Sequence, residues 1–113
     1  MGKKKRIFLL EGDSVLQALL TLYLFTAGFD VKPLESFTQV SESSGEADAV
    51  ICDEDDIPAD ADFPPAEGRS ASTRFIVLSS FSLISRDDQP NVHTLDKPFS
   101  LAVLRDIIDQ KSN

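Results

Sequence analysis

A single cysteine, Cys52, stands among the 113 residues, so no internal disulfide can staple the fold, and a lone thiol fits a reducing cytosol. Histidine is as scarce. His93 has no cysteine or acidic partner at ligand spacing, which favours a structural place over a zinc site. Positive charge is short too: eleven Lys and Arg face nineteen Asp and Glu, a formal net charge of −8. Such a surface repels phosphate backbones and argues against a nucleic-acid partner. Long hydrophobic runs are missing. The greasiest stretch, Val15 to Phe29, carries Gln17, Thr21 and Thr26 and is shorter than the roughly 20 residues a membrane-spanning helix needs. The opening Lys3-Lys4-Lys5-Arg6 and Ile7 to Leu10 imitate a secretory leader, but Glu11 and Asp13 break the apolar part too early. The basic start reads as a solvated tail. With no internal repeat and too little chain for two cores, residues 1–113 are expected to form one cytoplasmic domain without a membrane partner.

What the chain does have is a series of short apolar blocks. Ile7 to Leu10 is continuous, as in a strand buried on both faces. Asp13 or Ser14 then caps a helix whose apolar residues recur from Val15 to Ala27, with Gly28 as its stop. Val31 opens a second strand limited by Pro33, and Leu34 to Val40 is a weaker helical pattern that dissolves into Ser41-Glu42-Ser43-Ser44-Gly45. Ala49 to Cys52 is a third strand, ending in the acids Asp53 to Asp56. Pro58 to Thr73 has room for at most a short, irregular helix. Phe75 to Leu78 and Val92 to Leu95 are a fourth and a fifth strand. Ser100 caps a last helix with Leu101, Leu104, Ile107 and Ile108 on its apolar side.

Strands alternating with helical segments predict an α/β fold, a parallel sheet wrapped on both faces. In such sheets ligands bind at the carboxyl ends of the strands. That directs attention to Glu11 to Ser14, Asp53 to Asp56, Ser79-Ser80 and the turn holding Lys97. Carboxylates gathered at neighbouring strand ends repel one another and invite a hard, oxygen-ligated cation such as Mg²⁺. A lysine and a hydroxyl nearby suit a phosphoryl group in transfer, and a carboxylate can itself be the nucleophile, forming an acyl phosphate.

Taken in order, these positions resemble the receiver domain of bacterial two-component response regulators, over nearly the whole chain. RIFLLEGDS at 6–14 is similar to the first strand and its acidic end, and AGFDV at 27–31 to the turn into the second. ADAVICD at 47–53 resembles the third strand with its phosphoacceptor aspartate, followed by Pro58. RFIVLSS at 74–80 looks like the fourth strand with its switch hydroxyl, and DKPFS at 96–100 like the lysine–proline turn before the last helix. The resemblance implies a flavodoxin-like three-layer sandwich with five parallel strands and shortened third and fourth helices. It also implies roles: Asp53 accepts a phosphoryl group from a histidine kinase or histidine phosphotransfer protein, Ser79 hydrogen-bonds the phosphoryl oxygen, and Lys97 pairs with it. The expected Mg²⁺ set is Glu11, Asp13, Asp53 and Asp55.

Four departures from the family pattern bear on these roles. Gly12 stands where the family has its second coordinating acid, so the metal site is short of a ligand, and Gly12→Asp is expected to tighten Mg²⁺ binding. Four residues, Glu54 to Ile57, separate Asp53 from Pro58, one more than usual. Thr94 replaces a switching aromatic. Thirteen residues, Phe81 to His93, are too few for a helix of about 11 residues with a loop at each end, so that helix is short or absent.

Plainer readings stand beside these. Glu11 and Asp13 read equally as a helix-capping pair, Asp53 as a solvated strand end, and Ser79 and Ser80 as loop hydroxyls. Cys52 is packing. The leading reading is a stand-alone receiver that acts through a downstream protein. The alternative is a pseudo-receiver that interacts without metal-dependent phosphorylation, and a small phosphate-ester hydrolase ranks last for want of a general base. The first helix carries Leu16, Leu19, Leu20, Leu22, Tyr23, Leu24 and Phe25, too wide an apolar arc for one buried stripe. Part of it is expected to stay exposed and to meet another protein or a second copy in a homodimer.

Overall fold

The structure, a computed structural model, describes residues 4–80, 89 and 91–110. Five parallel strands form one sheet: β1 (Arg6–Leu10), β2 (Asp30–Pro33), β3 (Ala49–Asp53), β4 (Arg74–Ser79) and β5 (Val92–Asp96), in the order β2-β1-β3-β4-β5. Ile7 is level with Ala49, Ala49 with Arg74, and Phe75 with Val92. This is the flavodoxin-like order, and it sets β3 at the centre, between β1 and β4.

The middles of the central strands are apolar because helices cover both faces, and the two-residue period of a strand sends alternate side chains to opposite layers. Ile7, Leu9, Ile51, Ile76 and Leu78 join Leu20 and Leu24 of α1 (Ser14–Thr26) and Leu104, Ile107 and Ile108 of α4 (Leu101–Asp109). Phe8, Leu10, Val50, Cys52, Phe75 and Val77 face the other way, toward Val40 of α2 (Phe37–Ser43) and Phe63. On that side α3 (Ala66–Ser70) lies so close to β4 that a Cβ on Gly68 would sit 2.3 Å from the Phe75 ring. Among the described residues no helix is long and apolar enough to cross a membrane.

Caps explain where the helices begin and end. The Asp13 carboxylate accepts the Val15 and Leu16 N–H groups at 2.9 and 3.1 Å, and Gly28 leaves α1 at φ +97°, a conformation that favours glycine. The Ser100 hydroxyl caps α4. At the other end of α4 the buried Arg74 guanidinium donates to the Ile107 and Gln110 carbonyls at 2.8 and 2.5 Å. An arginine in a buried strand thus ties the last helix to the sheet through carbonyls of its final turn, where backbone partners run out.

One expected element is displaced. The second helix begins at Phe37 and not Leu34, because the Leu34 N–H still bonds to the Leu9 carbonyl and extends the strand pairing. It then runs through Ser43 and passes into a 3-10 turn over Ser44–Glu46, in place of dissolving at Ser41. The Thr73 hydroxyl, bonded to the Ser44 and Ala47 carbonyls, supplies from a distant loop the anchoring that local sequence lacks. The expectation of a short or absent helix within Phe81 to His93 falls largely outside the described residues.

Candidate functional site

Four strand ends converge at the carboxyl edge of the sheet. Glu11 follows β1, Asp53 closes β3, Ser79 closes β4, and Lys97 follows β5 immediately before Pro98. Glu11, Asp53 and Ser79 are buried, at 6, 4 and 0% exposure, so the edge here is a recess and not an open acidic surface. The Lys97 ammonium donates to Asp53 Oδ2 and lies 3.8 Å from Glu11 Oε2. Asp53 Oδ1 accepts the Asp55 N–H at 2.9 Å, and Glu11 Oε1 accepts the Asp13 N–H at 3.0 Å. Glu11 Oε2 is buried and has no hydrogen bond among the described residues.

These contacts divide the charges. Burial alone would raise the Asp53 carboxyl, but the Lys97 ammonium and the Asp55 N–H outweigh it and hold the group below the usual carboxylate range. Burial raises Glu11 from 4.5 to about 7, Asp53 adds to the rise, and the Asp13 N–H and Lys97 oppose it. Burial works against the charge of Lys97, yet its bond to Asp53 and the field of the neighbouring acids raise its pKa. Asp53 is thus the ionised member of the pair and Glu11 the one that protonates first. The Cys52 thiol is pushed up by burial within β3 and takes no part.

The acids after Asp53 go three ways. They form one 3-10 turn, Glu54–Asp56, in which side chains three apart eclipse. Glu54 reaches Ser79, whose hydroxyl donates to Glu54 Oε2 at 2.6 Å. Asp55 contributes its N–H to Asp53. Asp56, eclipsing Asp53, accepts the Gly12 N–H at 2.8 Å. One oxygen each of Glu11, Asp53 and Asp56 lies within 4.8 Å of the others, an all-oxygen set suited to a hard divalent cation. Asp13 and Asp55 are not in that group; Asp13 Oδ1 makes the α1 cap. The sequence brings Asp53 to Asp56 forward as a run but gives Glu54 and Asp56 no role of their own. The available signal was the extra residue before Pro58 set against the missing acid at Gly12. Thr94 is half-buried in β5, beside Val77.

No protein-family model and no curated protein sequence matches the chain. Solved structures do. The receiver domain of a sensor histidine kinase from Pseudomonas aeruginosa, with a magnesium ion coordinated in its active-site cleft, superposes with a TM-score of 0.71 at 22% identity, covering 94% of this chain and 95% of that one. A response regulator receiver domain protein from Bacillus halodurans gives 0.71 at 23% identity, with coverage of 97 and 100%. A chemotaxis response regulator of Vibrio cholerae gives 0.68 at 14%, with 93 and 99%. The fold is that of response-regulator receiver domains.

Proposed function

We propose that the chain is a signalling receiver in which Asp53 accepts a phosphoryl group from a histidine kinase or histidine phosphotransfer protein. The observation that carries this reading is the pairing of Lys97 with an ionised, buried Asp53 at the end of the central strand, between Glu11 and Ser79. In the transfer, an Asp53 carboxylate oxygen forms the new O–P bond while the donor's P–N bond breaks. The electron pair leaves with the donor imidazole. Lys97 offers positive charge to the incoming phosphoryl oxygens, and Ser79 offers a hydroxyl once it turns from Glu54.

Glu11 and Asp53 would hold Mg²⁺, and the buried, unbonded Glu11 Oε2 is the feature of this chain that fits such an ion. A bound divalent cation offsets repulsion between the carboxylates and the phosphoryl group. The chain is not an enzyme in the ordinary sense, since the modified group is its own. Output passes to a downstream protein, and a reducing cytoplasm suits the buried thiol of Cys52.

Acetyl phosphate with Mg²⁺, followed by intact-mass measurement and borohydride trapping, tests the reading. It predicts a single label on Asp53 that is lost in Asp53→Asn. Gly12 favours the second reading, a pseudo-receiver, and a folded protein left unlabelled beside a labelled control receiver would select it.

A further inference from the structure

The missing acid at position 12 and the extra residue before Pro58 meet in space. A Cβ built on Gly12 would lie 3.1 Å from Asp56 Oδ1 and 3.4 Å from Oδ2, so Asp56 fills the place that a side chain at position 12 would take. Its orientation is fixed from two sides. The Gly12 N–H holds Oδ2, and the 3-10 turn stacks residue 56 over Asp53. The neighbouring Glu11, 94% buried, has an Oε2 without a hydrogen bond among the described residues, on the side of the Lys97 ammonium that bonds Asp53. A buried carboxylate oxygen without a donor is costly unless something electropositive completes it. Lys97 at 3.8 Å is beyond hydrogen-bond reach of it.

We propose that Asp56 supplies the divalent-cation ligand that Gly12 cannot, so that the Mg²⁺ site is Glu11, Asp53 and Asp56, with one acid moved from the loop after β1 to the loop after β3. This rests on the receiver reading above and changes which residues serve it. The site keeps its three carboxylates, and Mg²⁺, which retains several waters, is held by these and solvent. Asp13 caps α1 through Oδ1 and Asp55 gives its N–H to Asp53, and neither joins the group of three oxygens.

Mg²⁺ titration of the full chain, followed by calorimetry and amide NMR shifts, tests the swap with isosteric variants that keep the fold. Asp56→Asn is expected to weaken Mg²⁺ about tenfold or more, as does Glu11→Gln, while Asp13→Asn and Asp55→Asn stay within about threefold. Gly12→Asp alone, crowding Asp56, leaves affinity unimproved. In the Asp56→Ala background, where affinity is low, Gly12→Asp restores it to within about threefold of the parent. An unchanged affinity in Asp56→Asn, with loss in Asp13→Asn or Asp55→Asn, overturns the swap. If Asp53→Asn still abolishes binding in that case, the receiver reading stands. If Asp53→Asn and Glu11→Gln are silent as well, both fall. A parent chain that binds no Mg²⁺ also refutes the swap, and labelling of Asp53 then decides the receiver reading separately.

Discussion

Two carboxyls a few ångströms apart behave oppositely: burial raises Glu11, while at Asp53 the hydrogen bond from Lys97 outweighs burial. Asp53 stays ionised beside Lys97, while Glu11 titrates near 7. A raised carboxyl pKa means that the folded protein keeps a proton which the unfolded chain has already released. Its contribution is complete below about pH 4.5 and lost as pH rises through 7. In EDTA, with Asp53 charged across that window, stability is expected to fall by about 2–3 kcal/mol between pH 5 and 8, and Glu11→Gln to flatten the profile. Urea midpoints against pH measure this, and a stability that climbs from pH 5 to 8 would contradict it. Glu54 gives a second residue-level prediction. It holds the Ser79 hydroxyl that a phosphoryl group would need, so removing the competing acceptor in Glu54→Ala should tighten beryllofluoride about threefold to tenfold. Equal or weaker affinity would show that Glu54 does not compete.

Elements were legible in the sequence where burial and caps act locally. The four-residue apolar runs of β1, β3 and β4, the Asp13 and Ser100 caps and the Gly28 stop are physical signals confined to a few neighbours. The start of α2 was not, because strand pairing of Leu34 with Leu9 and the hold of Thr73 on Ser44 come from distant chain. In the site, the strand ends carrying Glu11, Asp53, Ser79 and Lys97 could be read directly. The partition of Glu54, Asp55 and Asp56 could not, since it depends on a 3-10 turn that a count of residues does not reveal. The breadth of the apolar arc on α1 was also legible. Leu20 and Leu24 are buried, whereas Val15, Leu19, Leu22 and Phe25 remain 77, 54, 65 and 59% exposed. None of the thirteen residues of α1 is charged. On a chain of net charge −8, this is a face where a second copy can approach without meeting like charge. We propose that the protein self-associates there. Sedimentation should show concentration-dependent dimers that Leu22→Ser with Phe25→Ser abolishes at little cost in stability. A strictly monomeric parent would refute the proposal.

At the scale of the whole molecule, the β2-β1-β3-β4-β5 order makes four distant segments into one recess. β3 brings Asp53 between Glu11 on one side and Ser79 on the other, and the turn after β5 brings Lys97 across. The two layers of side chains hold that edge in place from opposite faces. On the proposed reading, this recess receives a phosphoryl group on Asp53 with help from a divalent cation. Beryllofluoride titrated into the protein with and without Mg²⁺, followed by NMR, tests it most directly. The expected result is one-to-one binding that requires Mg²⁺, shifts the amides of Asp53, Ser79 and Lys97, and vanishes in Asp53→Asn. A folded protein whose spectrum is unmoved by beryllofluoride at saturating Mg²⁺ would contradict it.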